Sequence, residues 1–463
     1  MRLTFRRSAC VALAATALVA CQNDLTLPNY NDATVAGLAS DPAGVQLAAT
    51  GVLVSERNNY FGYIRDVSVF GREGYYYFAT DGRFVTDYLI GAGSPARLSS
   101  TGFASGNWFG YFQNARNAVN LVNLAQAGAL PAAQKAATRG FASTFRALDL
   151  YYALSLRDTL GIPVEILANP NDQAPFVTRT VAYTRISAIL DSAKADLVTA
   201  GSADFPFVLH SGFAGFNTPS TFLTFNRAIA ARVLGIRGSQ ACGNTCYTQA
   251  LAALNESFVT APGAAASLAA LNVGAYNIYS SASGDVTNNL SSAANPNFVG
   301  HASLQSDAQL QADGTKDARI LRKEGTLATP RPGNPGSSSI PATQSLIQYG
   351  SNTTPTPIIR NEELILIRAE ANLQLGNPGA ALIDLNNVRT VSGGLAPTAT
   401  ASLDELLYER EYSLFLEGFR WIDARRFGRL GSLPLDLPTH FVAKVVPIPK
   451  AECDARLVKP VGC

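Results

Sequence analysis

Charge is scarce in this chain, and so are the residues that most often build catalytic and metal centres. Only 15% of its 463 residues are Asp, Glu, Lys or Arg, and 36 Lys+Arg against 34 Asp+Glu leave a formal net charge of +2. Without a basic field to capture phosphates, nucleic-acid binding has little support. There are three histidines, His210, His301 and His440, far apart in sequence, and a single methionine, Met1. No stretch reaches the roughly 18–20 apolar residues that a membrane-spanning helix needs. The sequence has no Gly-x-Ser-x-Gly elbow, no His-Glu-x-x-His pair and no Gly-Lys-Ser/Thr phosphate loop. Gly91-Ala92-Gly93 lacks the third glycine of a dinucleotide fingerprint. Apolar side chains, by contrast, make up 47% of the residues. At this length they can build a sizeable core, which excludes general disorder.

The first residues read as an address. Arg2, Arg6 and Arg7 precede an apolar stretch from Ala9 to Ala20, the charge and length pattern of a secretory signal peptide over residues 1–20. It ends Leu18-Val19-Ala20-Cys21, which resembles the bacterial lipobox, so Cys21 is the expected lipidation site. Gln22, not Asp, follows it, and nothing there argues for inner-membrane retention. Residues 21–34 are polar and contain Pro and Asn, as a tether does. Cys10 would leave with the signal. Cys242, Cys246, Cys453 and Cys463 remain, and in an oxidising compartment they can form two local disulfides. The Cys242/Cys246 pair has no second pair or nearby histidine to complete a zinc site, so no metal is expected.

Helical periodicity dominates the rest. Apolar residues recur at three-to-four spacing over 107–127, 141–157, 183–200, 221–237, 247–258, 361–375 and 378–390. Gly376-Asn377-Pro378 joins the last two as a tight helix hairpin, with Gly at a C-terminus and Pro at a first helical position. Leu366, Ala369, Leu373, Ala380, Ala381 and Leu385 alternate small and large residues as tetratricopeptide repeats do. Between the pairs lie long irregular segments, 61–106, 201–220, 260–320 and 325–358, of the kind that carry function. With no clean composition break, residues 35–463 are expected to form one domain.

In 402–430, Leu403, Leu407, Arg410, Leu414, Glu417 and Trp421 recur on one helical face. Placing Arg410 and Glu417 beside an apolar stripe demands paired charges. Arg420 and Asp423, at i and i+3, can pair locally. Glu409-Arg410, Glu417-Gly418-Phe419-Arg420-Trp421-Ile422-Asp423 and Arg425-Arg426 resemble the C-terminal signature of the SusD/RagB family of outer-membrane nutrient-uptake lipoproteins. Ile367-Arg368-Ala369-Glu370-Ala371 and Leu385-Asn386-Asn387-Val388-Arg389 also resemble it, so the 361–430 block is its most specific part. The chain departs from many members in being shorter and in having only two tryptophans, Trp108 and Trp421. The resemblance implies a mainly α, tetratricopeptide-like superhelix carrying ligand-binding loops and no cofactor. It also implies a lipid-anchored protein, facing the cell surface, that captures an oligosaccharide or a peptide. A TonB-dependent SusC-like barrel is the partner it implies.

Two other readings stand beside this one, an envelope scaffold that binds only proteins and a surface glycan hydrolase. Glu409, Glu411, Glu417 and Asp423 invite the second. On one helix, however, spacings of six to eight residues separate them by about 9–12 Å, and adjacent arginines are expected to hold them ionised. A structural ion-pair helix through Arg410, Glu417, Arg420 and Asp423 is the preferred reading, with no catalytic residue. Trp108 and Trp421 lie on apolar faces and read as core. The run Tyr75-Tyr76-Tyr77-Phe78, flanked by Gly71, Gly74 and Gly82, supplies the candidate ligand-binding residues.

Overall fold

A computed structural model describes residues 43–463 apart from 79, 170 and 334–339. The signal, Cys21 and the tether therefore lie outside the described residues. The scaffold is a series of long helices, each packed on the next: α1 (Gly44–Phe70), α2 (Phe109–Ala127), α3 (Ala132–Arg157), α4 (Arg179–Ala200), α5 (Pro219–Arg237), α6 (Gly243–Asn255), α7 (Asn361–Gln374) and α8 (Pro378–Val391). Small residues such as Ala228, Ala231, Ala369 and Ala381 sit fully buried between neighbours, the packing logic of helix-turn-helix repeats. The fold is mainly α and tetratricopeptide-like, as expected. Local chemistry sets the helix ends. Thr218 and Thr221 form a capping box before Pro219, the first residue of α5. Gly376 has φ 79° and Pro378 opens α8, so the α7–α8 hairpin is built as its sequence indicates.

Three features depart from expectation. Residues 44–60 were not read as helical and 61–106 were read as irregular, yet α1 runs unbroken to Phe70. Its second half is buried on nearly every side, so it shows no polar stripe to mark a period. The irregular segments also contribute a four-stranded sheet, in the order β1 (Gly74–Tyr76), β5 (Phe298–Gly300), β7 (Ala342–Leu346) and β6 (Glu324–Arg331). Two-stranded ribbons pair β2 (Ile162–Pro163) with β3 (Phe176–Val177), and β4 (Gly274–Asn277) with β8 (Thr356–Arg360). Finally, 402–430 is not one helix. α9 (Leu403–Ser413) stops, and α10 (Arg420–Arg426) starts after a corner. Leu416 (φ 55°) and Gly418 (φ 85°) turn the chain there. A Cβ on Gly418 would stand 2.5 Å from the Tyr63 ring, so this corner admits only glycine.

The corner decides the pairing of the charged signature. Arg410 reaches across it to Asp423 (2.7 Å), which also accepts from Arg426 (2.8 Å). Glu417 takes Arg360 of β8 (2.8 Å), and Arg420 takes Glu411 (2.8 Å) and the Arg72 carbonyl (2.8 Å). The local Arg420–Asp423 pair expected from i, i+3 spacing does not form, because both residues find partners from the other side of the bend. Nor does one helical face hold the six residues assigned to it. Two disulfides, Cys242–Cys246 and Cys453–Cys463, close short loops. Trp421 is fully buried and donates from Nε1 to the Ala443 carbonyl (2.7 Å), while Trp108 is buried in stacked contact with Phe176 (ring centroids 5.7 Å apart).

Candidate ligand-binding site

The four-ring run straddles β1, and a strand sends alternate side chains to opposite faces. Tyr75 and Tyr77 point inward, both nearly fully buried and stacked on one another (centroids 5.4 Å apart), with Tyr75 edge-on to His301. They cannot touch a ligand directly, so the structure removes them from the candidate ligand-contact set. Tyr76 and Phe78 lie on the other face, their rings nearly parallel at 6.3 Å, and Phe78 is 37% exposed. The loop after β1 returns Phe84 to this pair, 4.6 Å from Tyr76, and Phe103 packs behind Phe84 at 4.7 Å. These two rings were missed in the sequence, because the cluster is assembled from separate segments with no shared spacing.

Two arginines complete the face. Arg65 of α1 sits with its guanidinium 4.9 Å from the Phe84 ring, and 5.6–5.7 Å from Phe61 and Tyr76. It is oriented by Asp66 (2.8–2.9 Å) and by the Tyr88 hydroxyl (3.1 Å). Asp66 in turn accepts from Tyr88 (2.7 Å) and from Asn107. Burial alone would drive Arg65 toward neutrality, but the Asp66 charge outweighs it and holds the guanidinium protonated beyond its ordinary range. Arg83, 60% exposed, lies 4.1 Å over the Phe103 ring and is clamped by Asp81 (2.6 Å). Asn295 donates to the Tyr76 hydroxyl (3.2 Å), tying the face to the loop before β5. Aromatic faces bordered by fixed cations and hydroxyls suit stacking on C–H surfaces and hydrogen bonding at a wet edge.

The carboxylate cluster offers less. Glu411, Arg420, Asp423 and Asp404 border a cleft of ≈ 360 Å³. Each acid there is tied to a guanidinium: Asp404 to Arg429 (2.9 Å), Glu411 to Arg420 (2.8 Å), and Asp423 to Arg410 and Arg426. The four signature acids do not share one electrostatic environment. Burial pushes Glu409, Glu411 and Glu417 above the ordinary carboxylate range, and only at Asp423 do two guanidinium groups overcome it. Among the described residues no group of three or more His, Cys, Asp or Glu is placed to hold a metal ion. Among the same residues no helix is long and apolar enough to cross a membrane.

Comparison with known proteins places these features. The model of the SusD family matches residues 337–455, which include the α7–α10 block. A SusD superfamily protein from Bacteroides vulgatus has the same fold, with a TM-score of 0.65 at 13% identity over 92% of this chain and 100% of that one. Surface glycan-binding protein A from Bacteroides uniformis aligns with a TM-score of 0.62 at 16% identity, covering 89% of this chain and 98% of its own. Surface glycan-binding protein A from Bacteroides thetaiotaomicron, solved in complex with laminarihexaose, gives 0.63 at 13% identity over 90% and 98%. No curated protein sequence matches the chain.

Proposed function

We propose, from the match of residues 337–455 to the SusD family and from the SusD-type fold, that this chain is a lipid-anchored binding protein that captures an oligosaccharide and passes it to a TonB-dependent SusC-like barrel without chemical turnover. The observation that carries this reading is the aromatic–arginine face of Tyr76, Phe78, Phe84 and Arg83, which rests on the α1 scaffold and presents Phe78 and Arg83 to solvent. Similar folds whose names state glycan binding support the ligand class. The ion-paired acids of the 404–426 cleft support a binding role over a hydrolytic one.

The test is calorimetric titration with neutral hexasaccharides: laminarihexaose, cellohexaose, maltohexaose and xylohexaose. Phe78→Ala and Phe84→Ala should each weaken binding about tenfold, the effect of losing one stacked ring. Tyr75→Phe and Tyr77→Phe, altering buried rings, should leave affinity unchanged. Wild-type affinity in both alanine variants would move the site elsewhere, and absence of binding to all four sugars would refute the glycan reading. The anchor is tested separately. Cys21→Ser should shift the protein from the membrane fraction to the soluble one and abolish labelling with palmitate. Membrane retention with undiminished label would exclude Cys21 as the lipid carrier.

A further inference from the structure

A second cleft opens where α2 begins, and none of its lining residues belongs to the Arg65 face. Phe109, Phe112, Gln113 and Arg116 stand at i, i+3, i+4 and i+7, hence on one side of the helix, over a span of ~10 Å. They form one wall of a cavity of ≈ 330 Å³; the opposite wall is the loop between β2 and β3, with Glu165 and Asp172. Phe109 is 52% exposed although it is the first residue of a long packed helix. Such a ring, beside a half-buried Phe112, gives an apolar strip open to solvent inside a concavity.

The third wall is already committed. Arg456 stacks on Phe176 at 4.6 Å, donates to the Ala174 carbonyl (2.8 Å) and pairs with Glu452 (2.7 Å), which also accepts from the Trp108 indole N–H (3.3 Å). The Cys453–Cys463 disulfide lies within this segment and restrains it. These residues are a rigid frame rather than available contacts. Gln113 and Arg116 differ: neither side chain makes a hydrogen bond or ion pair among the described residues, and both border the cavity. Glu165 is 48% exposed and only loosely held by Arg185 (3.4 Å) and Arg146 (3.9 Å).

We infer that this cleft is a second binding site for a neutral oligosaccharide, with Phe109 and Phe112 as the stacking strip and Gln113, Arg116, Glu165 and Asp172 as hydrogen-bonding groups. The chemistry selects this class. Planar amide, carboxylate and guanidinium groups match vicinal hydroxyl pairs, and the aromatic strip matches the C–H faces of pyranose rings. Arg116 and Arg456 face Glu165, Asp172 and Glu452 at the mouth, and Arg185 and Arg146 stand behind Glu165, so no strong field of either sign selects a charged ligand. The inference rests on the glycan-binding reading above and adds a site to it.

The experiment uses a fluorescent reporter placed in the cleft. Trp108 and Trp421 are buried, so a Phe109→Trp variant adds the chain's one exposed indole among the described residues. Titrating it with the four hexasaccharides should change its emission for at least one sugar. In that background Arg116→Ala should weaken the response about tenfold, while Phe84→Ala should leave it intact. Circular dichroism verifies that each variant is folded. Unchanged emission in a variant that still binds a sugar by calorimetry overturns the second site and spares the first. Loss of the emission response in Phe84→Ala also overturns it, by showing a single site. Failure of every sugar to bind by calorimetry overturns both.

Discussion

Replacing Arg319 with methionine should lower the free energy of unfolding by about 3–5 kcal/mol at neutral pH, the cost of stranding a buried partner charge. The short helix Ala318–Lys323 carries this guanidinium into a fully buried position between Asp317 (2.6 Å) and Glu409, with the Ser413 hydroxyl at 3.0 Å and the rings of Tyr408 and Tyr412 on its flanks. Both carboxylates have no exposure. Glu409 keeps Arg389 (3.0 Å) in the variant, but Asp317 keeps only the Tyr408 hydroxyl (3.1 Å) and the backbone N–H of residue 319 (2.8 Å). Since burial already pushes the Glu409 carboxyl upward, removing the nearest cation should make it protonate more readily, so the deficit should shrink as pH is lowered. Urea unfolding at two pH values measures both effects. Arg429→Ala is the control, because its pair with Asp404 is exposed on both sides (49% and 80%) and should be worth no more than about 1 kcal/mol. Equal losses in the two variants would show that burial does not govern the strength of these pairs.

Glu56→Gln should do the opposite and stabilise the protein by about 3 kcal/mol above neutral pH. Glu56 lies in α1, fully buried, and burial pushes its carboxyl up to about 7, an effect that Asn277, Arg232, Tyr152 and Arg57 offset only in part. Neither oxygen makes a hydrogen bond of ordinary geometry. The folded state therefore holds a proton that the unfolded chain releases near its ordinary value of 4.5. Stability from this group is fully present below about pH 4.5 and is lost as pH rises through about 7. Glutamine keeps the shape and removes the titration, so variant and wild type should converge at low pH and separate with rising pH. Glu73 and Glu324, pushed by burial to about 7 and about 8, slope the same way and should preserve a smaller pH dependence in the variant. Parallel stability curves from pH 4 to pH 8 would show that folding does not shift the Glu56 carboxyl.

The helical pairs were legible because each exposes one side: in α2, α4, α6 and α8 the buried positions recur every three or four residues. The second half of α1 blurs that signal, because Asp66, Val67, Ser68, Val69 and Phe70 are buried in an unbroken run beside Tyr60, Tyr63 and Ile64. Strands of three to five residues, such as β1, β5 and β7, are too short for alternation to declare itself, and β1 finds its partner β5 more than 200 residues away. The charged signature named residues that are indeed charged and buried, but its geometry depended on a bend at Leu416 and Gly418 that periodicity read straight through. In the candidate ligand face, the run of four rings falls on and just after β1, and the pleat divides it into two outward and two inward rings. Phe84, Phe103 and Arg65 carried no local mark, since what makes them a cluster is the closeness of α1 to the loop after β1.

The last part of the chain holds the first part shut. Arg72, just beyond α1, donates to the carbonyls of Pro434 and Phe441; Tyr63 donates to Gly418; and the Phe441 and Val446 amides donate to Leu89 and Leu156. The Arg72 and Tyr63 bonds close separations above 350 residues. Contacts so distant in sequence form late, and a chain emerging from its N-terminus leaves its early apolar surface uncovered until its final segments arrive. A chain truncated before the signature corner should therefore lose the partners of Tyr63 and Arg72 together, leaving the buried half of α1 open to solvent.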